Sequence, residues 1–391
     1  MSRISLGARS RLLAATLAAL VLASLAATAS AGGASASGRA LSGPAKVDER
    51  EAVSSVSPRP RPAAFGTAPA SVFGVAAGGA IQNEDSATLT RDVDTYDRMG
   101  AGWIRFDVNW AMVQRRGPDS YDWSPFDRLV AAARARGLQA LGTILYTPSW
   151  ARPAGTSATW APDAARYAAF AGAAASHFAA LGVHAYEIWN EPNIVGFWKP
   201  RPSAARYAKL LEAASAAVRS ADPRAIVLTG GTAPASTDGT NVSPVDFLAG
   251  VYAAGARGSF DAVAHHPYCW PAAPGEARSW SAWYQMVGAS PSLRTVMAAN
   301  GDAGKKIWAT EFGAPTNGPA GSFLSEADQS RMLARAYELY RSYSWAGPLF
   351  WYSGRDLGTS RDTRENFFGV VRNDFSTKPS FAAYRRAAAA L

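Results

Sequence analysis

Two glutamates, Glu191 and Glu311, end two apolar segments of this sequence and are the residues best placed to do chemistry. The first segment closes with Trp-Asn-Glu-Pro at 189–192, and the second, 120 positions later, closes with Ala-Thr-Glu-Phe-Gly at 309–313. Proline and glycine interrupt regular structure, so each glutamate should lie at the C-terminal tip of a strand. Two carboxyl groups at strand tips suggest paired-carboxylate catalysis, in which one group is protonated and the other ionised.

The segments that must position these glutamates alternate between strand-like and helix-like patterns. Short apolar runs predict eight strands, at Val72–Ala77, Gly102–Val108, Gln139–Leu145, Ala185–Asn190, Ala225–Thr229, Ala262–His266, Lys306–Thr310 and Pro348–Tyr352. Amphipathic stretches predict helices at Ala87–Met99, Pro125–Arg136, Asp163–Leu181, Ser203–Ala221, Val245–Ala254, Ser292–Asn300, Glu326–Tyr343 and Ser380–Ala390. Eight βα units of about 40 residues indicate an α/β protein whose single catalytic domain is a (β/α)8 TIM barrel. A doubly wound open sheet is the alternative, but no Gly-rich phosphate loop follows the first strand.

In such a barrel the active site lies at the C-terminal rim, where the strands end. Placed on their predicted strands, seven side chains share this rim: Arg105, Asn190, Glu191, His266, Tyr268, Glu311 and Trp351. Side chains alternate along a strand, so His266 should point into the site together with Tyr268. By the same alternation Glu187 lies deeper in the barrel, where Arg105 could be its buried structural partner. The aromatic members of the set and the histidine could also be ordinary core residues.

Three signatures on this rim resemble those of the clan A glycoside hydrolases, as in cellulase family 5 and family 39. They are Trp-Asn-Glu-Pro at 189–192, His-Pro-Tyr at 266–268 and Ala-Thr-Glu-Phe-Gly at 309–313, on strands four, six and seven. Each signature is short, but the three occur in the order and on the strands expected for that clan. The likeness covers essentially all of 69–391.

The resemblance implies a retaining double displacement, with Glu191 as general acid/base and Glu311 as nucleophile. It also implies that Asn190 binds the sugar 2-hydroxyl and that Tyr268 and Arg105 keep the nucleophile ionised. This division of roles suits the reaction, because a glycosidic oxygen needs a proton while positive charge builds at the anomeric carbon.

Aromatic side chains could supply the sugar-binding surface. By the resemblance, Trp351 matches the aromatic floor under the reacting sugar ring. The loops after strands three, four and six carry further tryptophans: Trp150, Trp160, Trp198, Trp270, Trp280 and Trp283. Of these, Trp150 and Trp198 are predicted to bind substrate. Any one of them could instead pack within its loop. Tyr146 stands near where many members of the resembled families place a histidine, which leaves the identity of the sugar open.

Charge and composition argue against several other functions. Residues 1–68 hold eight Lys/Arg and three Asp/Glu, a surplus of +5, which leaves +4 of the net charge of +9 for the rest of the chain. No basic run lies in that remainder, so no nucleic-acid partner is predicted. The four histidines lack metal-ligand spacing and no nucleotide motif is visible, so no metal and no cofactor are predicted. The single cysteine, Cys269, cannot form an intrachain disulfide.

The first 68 residues are predicted to lie outside the folded domain. Three arginines precede an apolar run at 12–27 and an Ala-Ser-Ala site at 29–31, which is typical of a secretory signal peptide over residues 1–31. A retained membrane anchor is the alternative, although the run of 16 residues is shorter than the roughly 18 of a membrane span. Residues 32–68, rich in Gly, Ala, Ser and Pro, predict a disordered spacer, and residues 69–391 the barrel.

These observations predict a secreted, extracellular and monomeric glycoside hydrolase that cleaves O-glycosidic bonds in a β-linked oligo- or polysaccharide. Its partner is the carbohydrate, with no membrane contact after removal of the signal. A non-catalytic carbohydrate-binding barrel and a transglycosylase using the same carboxylate pair are the alternatives. The sequence leaves open which sugar and linkage are recognised and whether cleavage is endo or exo.

Overall fold

The computed structural model describes residues 72–390, so the predicted signal peptide and spacer lie outside the described part of the chain. Eight parallel strands form a closed barrel in which each strand pairs with its sequence neighbours and the eighth pairs with the first. The strands are β1 (Phe73–Ala76), β2 (Trp103–Asn109), β3 (Gln139–Leu145), β4 (Ala185–Ile188), β5 (Ile226–Leu228), β6 (Ala262–His265), β7 (Lys306–Phe312) and β8 (Ala346–Tyr352). The predicted (β/α)8 barrel is confirmed.

Helices connect the strands. They are α1 (Ser86–Met99), α2 (Trp110–Val113), α3 (Ser124–Arg134), α4 (Ala164–Ala180), α5 (Ala204–Ala221), α6 (Pro244–Ala253), α7 (Ala282–Val287), α8 (Leu293–Ala299), α9 (Glu326–Arg341) and α10 (Pro379–Ala389). Short 3-10 helices occur at Ile81–Asn83, Ser149–Ala151, Ala256–Ser259 and Arg364–Phe367. Between residues 72 and 390, no helix combines the length and the apolar character needed to span a lipid bilayer.

All eight predicted strands and all eight predicted helices are present, with differences at their ends. β7 continues two residues beyond its predicted end, to Phe312, and β4 stops two residues short of its predicted end, at Ile188. Both differences fall where the chain reaches the two glutamates. The short helices α2 and α7 were not predicted, because helices of four and six residues carry too little periodicity to stand out from a loop.

Local signals fix several helix ends. The Ser325 hydroxyl accepts a hydrogen bond from the backbone N–H of Asp328 at the start of α9. Pro379 occupies the first position of α10. Gly137, which follows α3, has a φ of 74°, the left-handed conformation that commonly ends a helix. These ends set the lengths of the connections and so the positions of the strand tips.

Aromatic rings fill the barrel interior on the side of the N-terminal ends of the strands. Trp103, Trp308 and Phe350 point inward from β2, β7 and β8, and the Trp103 and Trp308 ring centroids lie 5.3 Å apart in an edge-to-face contact. Gly74 on β1 leaves room for them, since a Cβ there would lie 2.6 Å from the Phe350 ring. On β2 the next inward position after Trp103 is Arg105, so the interior becomes polar one layer higher.

Candidate active site

Arg105 lies at the centre of the site and connects three strands. Its guanidinium donates hydrogen bonds to Glu187 Oε2 at 2.6 Å, to Glu311 Oε1 at 2.6 Å and to Asn190 Oδ1 at 2.7 Å. Glu187 is fully buried and accepts from three further donors: the hydroxyls of Thr143 and Thr310 and the backbone N–H of Gly231. Arg105 is therefore both the buried partner of Glu187 and a direct contact of Glu311.

The chain path after β4 brings Asn190 and Glu191 into the site together. Trp189 and Glu191 have φ values of 71° and 46°, in the left-handed region that residues other than glycine rarely occupy. The Glu191 backbone N–H donates a hydrogen bond to the Gly231 carbonyl at 2.9 Å. As a result Asn190 contacts Arg105 while the neighbouring Glu191 contacts His266, so consecutive residues both face the interior. Backbone strain of this kind is concentrated at functional sites.

A β-bulge brings Glu311 to the inner face of β7. Simple alternation would turn it outward, because the preceding Thr310 already contacts buried Glu187 inside the barrel. The pairing of β7 with β8 shifts register between Ala309 and Phe312, which changes the alternation there. Thr310 and Glu311 therefore both reach the interior, while Phe312 packs in the core outside the barrel.

His266 and Tyr268 approach the glutamates from the end of β6. His266 Nδ1 lies 3.0 Å from Glu191 Oε1 and 3.7 Å from Glu311 Oε2. The Tyr268 hydroxyl donates to Glu311 Oε2 at 3.0 Å. Gly231 leaves space for the imidazole, since a Cβ there would lie 2.2 Å from His266 Nε2. Both side chains point into the site, as alternation along the strand predicts.

The two glutamates and His266 form a compact group. One atom each from Glu191, His266 and Glu311 lies within 4.8 Å of the other two, a set that a divalent cation could in principle bridge. However, the oxygens of Glu311 already accept hydrogen bonds from Arg105 and Tyr268. A cation would have to compete with both donors, so the group fits a carboxylate pair bridged by a histidine better than a metal centre.

The surroundings push the pKa values of the two glutamates apart. Burial raises the pKa of Glu191, and the hydrogen bond from His266 offsets this only in part. Burial also acts on Glu311, but the positive charges of His266 and Arg105 outweigh it and lower its pKa. Burial likewise opposes a charged His266, yet the charges of Glu311 and Glu191 raise the pKa of its imidazole. Glu191 is thus favoured in the protonated form and Glu311 in the ionised form.

Trp351 is not the aromatic floor of the site, which corrects the prediction. It is 0% exposed, its indole N–H donates to the Phe368 carbonyl at 3.1 Å, and its ring packs edge-on against Phe312. The next residue, Tyr352, packs against the interior cluster and lies beside Gly78 after β1. Because side chains alternate along β8, the inner position belongs to Tyr352 and the outer one to Trp351.

The predicted tryptophan surface is mostly packing inside the loops. Trp198 is 0% exposed and packs edge-on against Trp189 and Tyr207, so it cannot stack on a sugar, contrary to the prediction. Trp150 is half-buried and donates its indole N–H to a backbone carbonyl in the loop after β2 at 2.8 Å. Trp280, in the loop after β6, is 40% exposed. A tryptophan gains more by burying its large ring than by remaining at the surface, and a sequence alone does not show which it does.

Three residues of the site were missed from the sequence: Asp107, Tyr352 and Glu365. Asp107 lies two positions after Arg105 on β2, so the alternation that identified His266 could also have identified it. Burial raises the pKa of Asp107 to about 7, against the opposing charge of Arg105. Glu365 lies in the 3-10 helix after β8, where burial raises its pKa to about 7, and no periodic pattern marks it.

Comparison with known proteins identifies related sequences and structures. The family model described as Cellulase (glycosyl hydrolase family 5) matches residues 66–354. A beta-xylosidase from Geobacillus stearothermophilus is 28% identical over 211 residues, which are 51% of this chain and 40% of the relative. A family 39 glycoside hydrolase from Bacteroides cellulosilyticus WH2 superposes with a TM-score of 0.65 and 24% identity, covering 82% of this chain and 63% of that one. A monomeric beta-xylosidase from Caulobacter crescentus CB15 superposes with a TM-score of 0.55 and 20% identity, covering 80% of this chain and 67% of that one.

These matches differ in what they establish. The family model covers well over half of the chain. The structural likenesses, all below 25% identity, show a shared fold. The chain spans less than two thirds of the length of both the Geobacillus and the Bacteroides relatives.

Proposed function

Because this chain belongs to the cellulase family, glycosyl hydrolase family 5, we propose that it is a retaining glycoside hydrolase acting on a β-linked oligo- or polysaccharide. In this proposal Glu191 is the general acid/base and Glu311 the nucleophile of a double displacement. Family membership supports the reaction class, and the geometry of the two glutamates supports the mechanism.

The separation of the two carboxyl groups is the observation that carries the mechanism. One oxygen of Glu191 and one oxygen of Glu311 lie within 4.8 Å of each other. Retaining enzymes hold their carboxyl groups about 5–5.5 Å apart, whereas inverting enzymes need about 6.5–9.5 Å to place a water between base and sugar. The short separation favours direct attack by one carboxylate on the anomeric carbon.

The first step breaks the glycosidic bond. Glu191, whose pKa is raised by burial, donates its proton to the glycosidic oxygen as the bond to the anomeric carbon breaks. Glu311, whose pKa is lowered because His266 and Arg105 outweigh burial, attacks that carbon through a carboxylate oxygen. The leaving group departs as an alcohol, and the sugar becomes a glycosyl ester of Glu311.

The second step releases the sugar. Glu191, now ionised, removes a proton from a water that attacks the anomeric carbon, and the ester bond to Glu311 breaks. With the proton taken from water, Glu191 is again protonated, and Glu311 regains its charge beside Arg105 and Tyr268. Two displacements at one carbon leave the anomeric configuration of the product the same as that of the substrate.

Asn190 is oriented to donate a hydrogen bond to the sugar. Its side-chain oxygen accepts a hydrogen bond from Arg105 at 2.7 Å, which leaves the amide NH2 group as the part able to reach a ligand. An amide NH2 donates to a hydroxyl oxygen. Such a contact with the 2-hydroxyl next to the reacting carbon can strengthen as charge develops there.

The proposal extends to location and assembly. The signal-like N-terminus supports export from the cell, and a related beta-xylosidase is described as monomeric, which supports a monomer. Relatives named as beta-xylosidases support a β-linked glycan as substrate.

The stereochemistry of the first product tests the mechanism. The wild-type protein is mixed with an aryl β-glycoside, and the anomeric proton signals are followed by NMR before mutarotation. We expect the β-anomer to appear first, and first appearance of the α-anomer contradicts the proposal. Glu311→Gln should abolish turnover, whereas Glu338→Gln, at an exposed position on α9, should leave it unchanged.

A further inference from the structure

A cluster of polar groups without internal partners lies beside the two glutamates. It comprises Asp107 on β2, Tyr146 directly after β3 and Tyr352 at the end of β8. Within residues 72–390 no hydrogen-bond partner reaches the Asp107 carboxylate or either phenol oxygen. None of these oxygens is sealed from solvent, so a ligand can reach all three.

The loop after β1 holds two members of this cluster side by side. A Cβ on Gly79 would lie 2.7 Å from Asp107 Oδ2, and a Cβ on Gly78 would lie 3.5 Å from the Tyr352 ring. Side chains from β2 and β8 therefore converge on consecutive residues of the loop between them. Tyr146, which has a φ of 68°, joins them from the end of β3. Burial is the largest cause that raises the pKa of the Tyr146 phenol, and the charge of Asp107 is the second largest.

The cluster borders Glu311, because Phe312 and Trp351, the residues next to Glu311 and Tyr352, are paired in the register of β7 with β8. The negative charge of Glu311 raises the pKa of Asp107 after burial, which is the largest cause, and against the charge of Arg105. The charge of Glu311 also raises the pKa of Tyr146 more than the charge of Glu191 does. In the proposed mechanism the nucleophile holds the sugar that stays on the enzyme, the glycone, while the acid faces the departing group. The cluster therefore faces the glycone.

We propose that Asp107, assisted by Tyr146 and Tyr352, is the glycone specificity residue, and that its carboxylate accepts hydrogen bonds from the hydroxyls of a neutral sugar. This inference rests on the proposed glycosidase function. A carboxylate is an acceptor with two oxygens, which suits a pair of neighbouring hydroxyl donors. A site built around a buried polar group discriminates strongly against a substrate that leaves that group unpaired.

The charge around the site favours a neutral glycone. Five carboxylates influence one another there: Asp107, Glu187, Glu191, Glu311 and Glu365. Arg105 pairs with Glu187, His266 contacts Glu191, and Arg364 Nε lies 3.5 Å from Glu365 Oε1. A uronic acid would bring a further negative charge against Asp107, and like charges in a site act against binding.

The test measures kcat/KM for the full-length wild type, D107A, D107N and D119N on aryl β-glycosides of xylose, glucose, mannose, galactose and glucuronic acid. The 3-, 4- and 6-deoxy forms of the best substrate, where that sugar has the hydroxyl, complete the set. We expect the wild type to lose about 100-fold on removal of a hydroxyl that Asp107 contacts, the scale of one hydrogen bond to a charged group. D107A should show the same loss on the parent sugar and no further loss on that deoxy form. D119N should match the wild type, because Asp119 is an exposed residue of the loop after β2.

D107N guards against misfolding of the alanine variant. Burial raises the pKa of Asp107 to about 7, so its ionised form opposes folding at higher pH and asparagine should raise Tm at pH 8. D107N should nevertheless lose at least about 10-fold in kcat/KM on the parent sugar, because one acceptor oxygen becomes a donor. If the wild type is active and both Asp107 variants keep its full discrimination, the inference is wrong and the proposed function stands. If the wild type hydrolyses none of the glycosides, both are wrong.

Discussion

At the scale of single residues, Glu191 and Glu311 carry the same side chain and differ only in their neighbours. Both are half-buried, yet two positive groups, His266 and Arg105, lower the pKa of Glu311, while burial raises that of Glu191. His266 contacts both glutamates, at 3.0 Å and 3.7 Å. The imidazole should therefore set the pH range over which one is protonated and the other ionised.

Replacing His266 by asparagine should move the pH profile to higher pH. The charge of His266 lowers the pKa of Glu311, and its hydrogen bond and charge restrain the rise at Glu191, so both values increase when it is removed. The proposed mechanism needs Glu311 ionised and Glu191 protonated, so the acid and basic limbs of kcat/KM against pH should both shift upward. His177→Asn, on α4 and outside the site, is the control and should keep the wild-type profile. An unchanged profile in His266→Asn would contradict the role given to the imidazole.

Replacing Glu191 by alanine should affect substrates according to their leaving group. A good leaving group such as dinitrophenolate needs no proton, so the first step should survive, whereas poor leaving groups should lose about 10²–10⁴-fold in rate. Added azide should restore turnover on the activated substrate by attacking the glycosyl ester in place of water. Equal losses on both kinds of substrate, without rescue by azide, would contradict the assignment of Glu191 as acid/base.

At the scale of elements, β2, β4 and β7 are joined by one guanidinium. Arg105 contacts Glu187, Asn190 and Glu311 and is almost fully buried. Removing one partner of a buried ion pair leaves an uncompensated charge, which is strongly destabilising. Arg105 thus links the stability of the barrel interior to the position of Glu311.

Arg105→Met should lower the free energy of unfolding by about 3–5 kcal/mol, because Glu187 loses its guanidinium partner inside the barrel. The double variant Arg105→Met/Glu187→Gln should recover part of that stability in urea unfolding. It should not recover activity, since Glu311 still lacks its positive neighbour. Recovery of activity in the double variant would show that Arg105 acts only through Glu187.

Gly231→Ala should reduce activity at least about 10-fold while the barrel remains folded, the scale expected when a catalytic side chain is misplaced by a fraction of an ångström. The added methyl group would lie 2.2 Å from His266 Nε2 and 2.7 Å from Thr310 Oγ1, so the imidazole has to move away from Glu191. Gly239→Ala is a matched control for a nearby exposed loop, where no atom lies within 4 Å of the added group, although its positive φ carries some strain. Steady-state kinetics and circular dichroism separate the two effects.

The sequence allows the strands and the rim residues to be predicted because both depend on short periodic patterns. Arg105, Glu187, His266 and Tyr268 lie where alternation predicts them. Alternation fails where the backbone departs from regular strand geometry, at the left-handed Trp189 and at the bulge before Phe312. Such departures have no periodic signal, and here they bring Asn190 and Glu311 to the inner face.

Burial of single aromatic residues was the other limit of prediction from sequence. Trp198 and Trp351 were expected at the sugar and lie in the core, while Tyr352 takes the inner position on β8. Choosing between neighbouring aromatics requires the exact register of a strand, and a shift of one residue reverses the face. Local composition does not contain that information.

At the scale of the whole molecule, the closed barrel places every strand tip on one rim, so residues far apart in sequence meet there. The N-terminal region that precedes it is expected to direct export. Expression in a secreting bacterial host should yield extracellular protein whose first residue is Gly32, after the Ala-Ser-Ala site. N-terminal sequencing checks this, and cell-bound protein that retains residues 12–27 would instead support a membrane anchor.

Trapping of the covalent intermediate tests the central claim most directly. In an activated 2-deoxy-2-fluoro β-glycoside of the preferred sugar, fluorine destabilises both transition states. The activated leaving group still lets the glycosyl ester form quickly, whereas the ester hydrolyses slowly. The labelled protein is digested and the modified peptide is identified by mass spectrometry. We predict a single label on Glu311, no label in Glu311→Gln, and loss of activity in step with labelling. A label on Glu191 or on any other residue, or full turnover by Glu311→Gln, would contradict the mechanism.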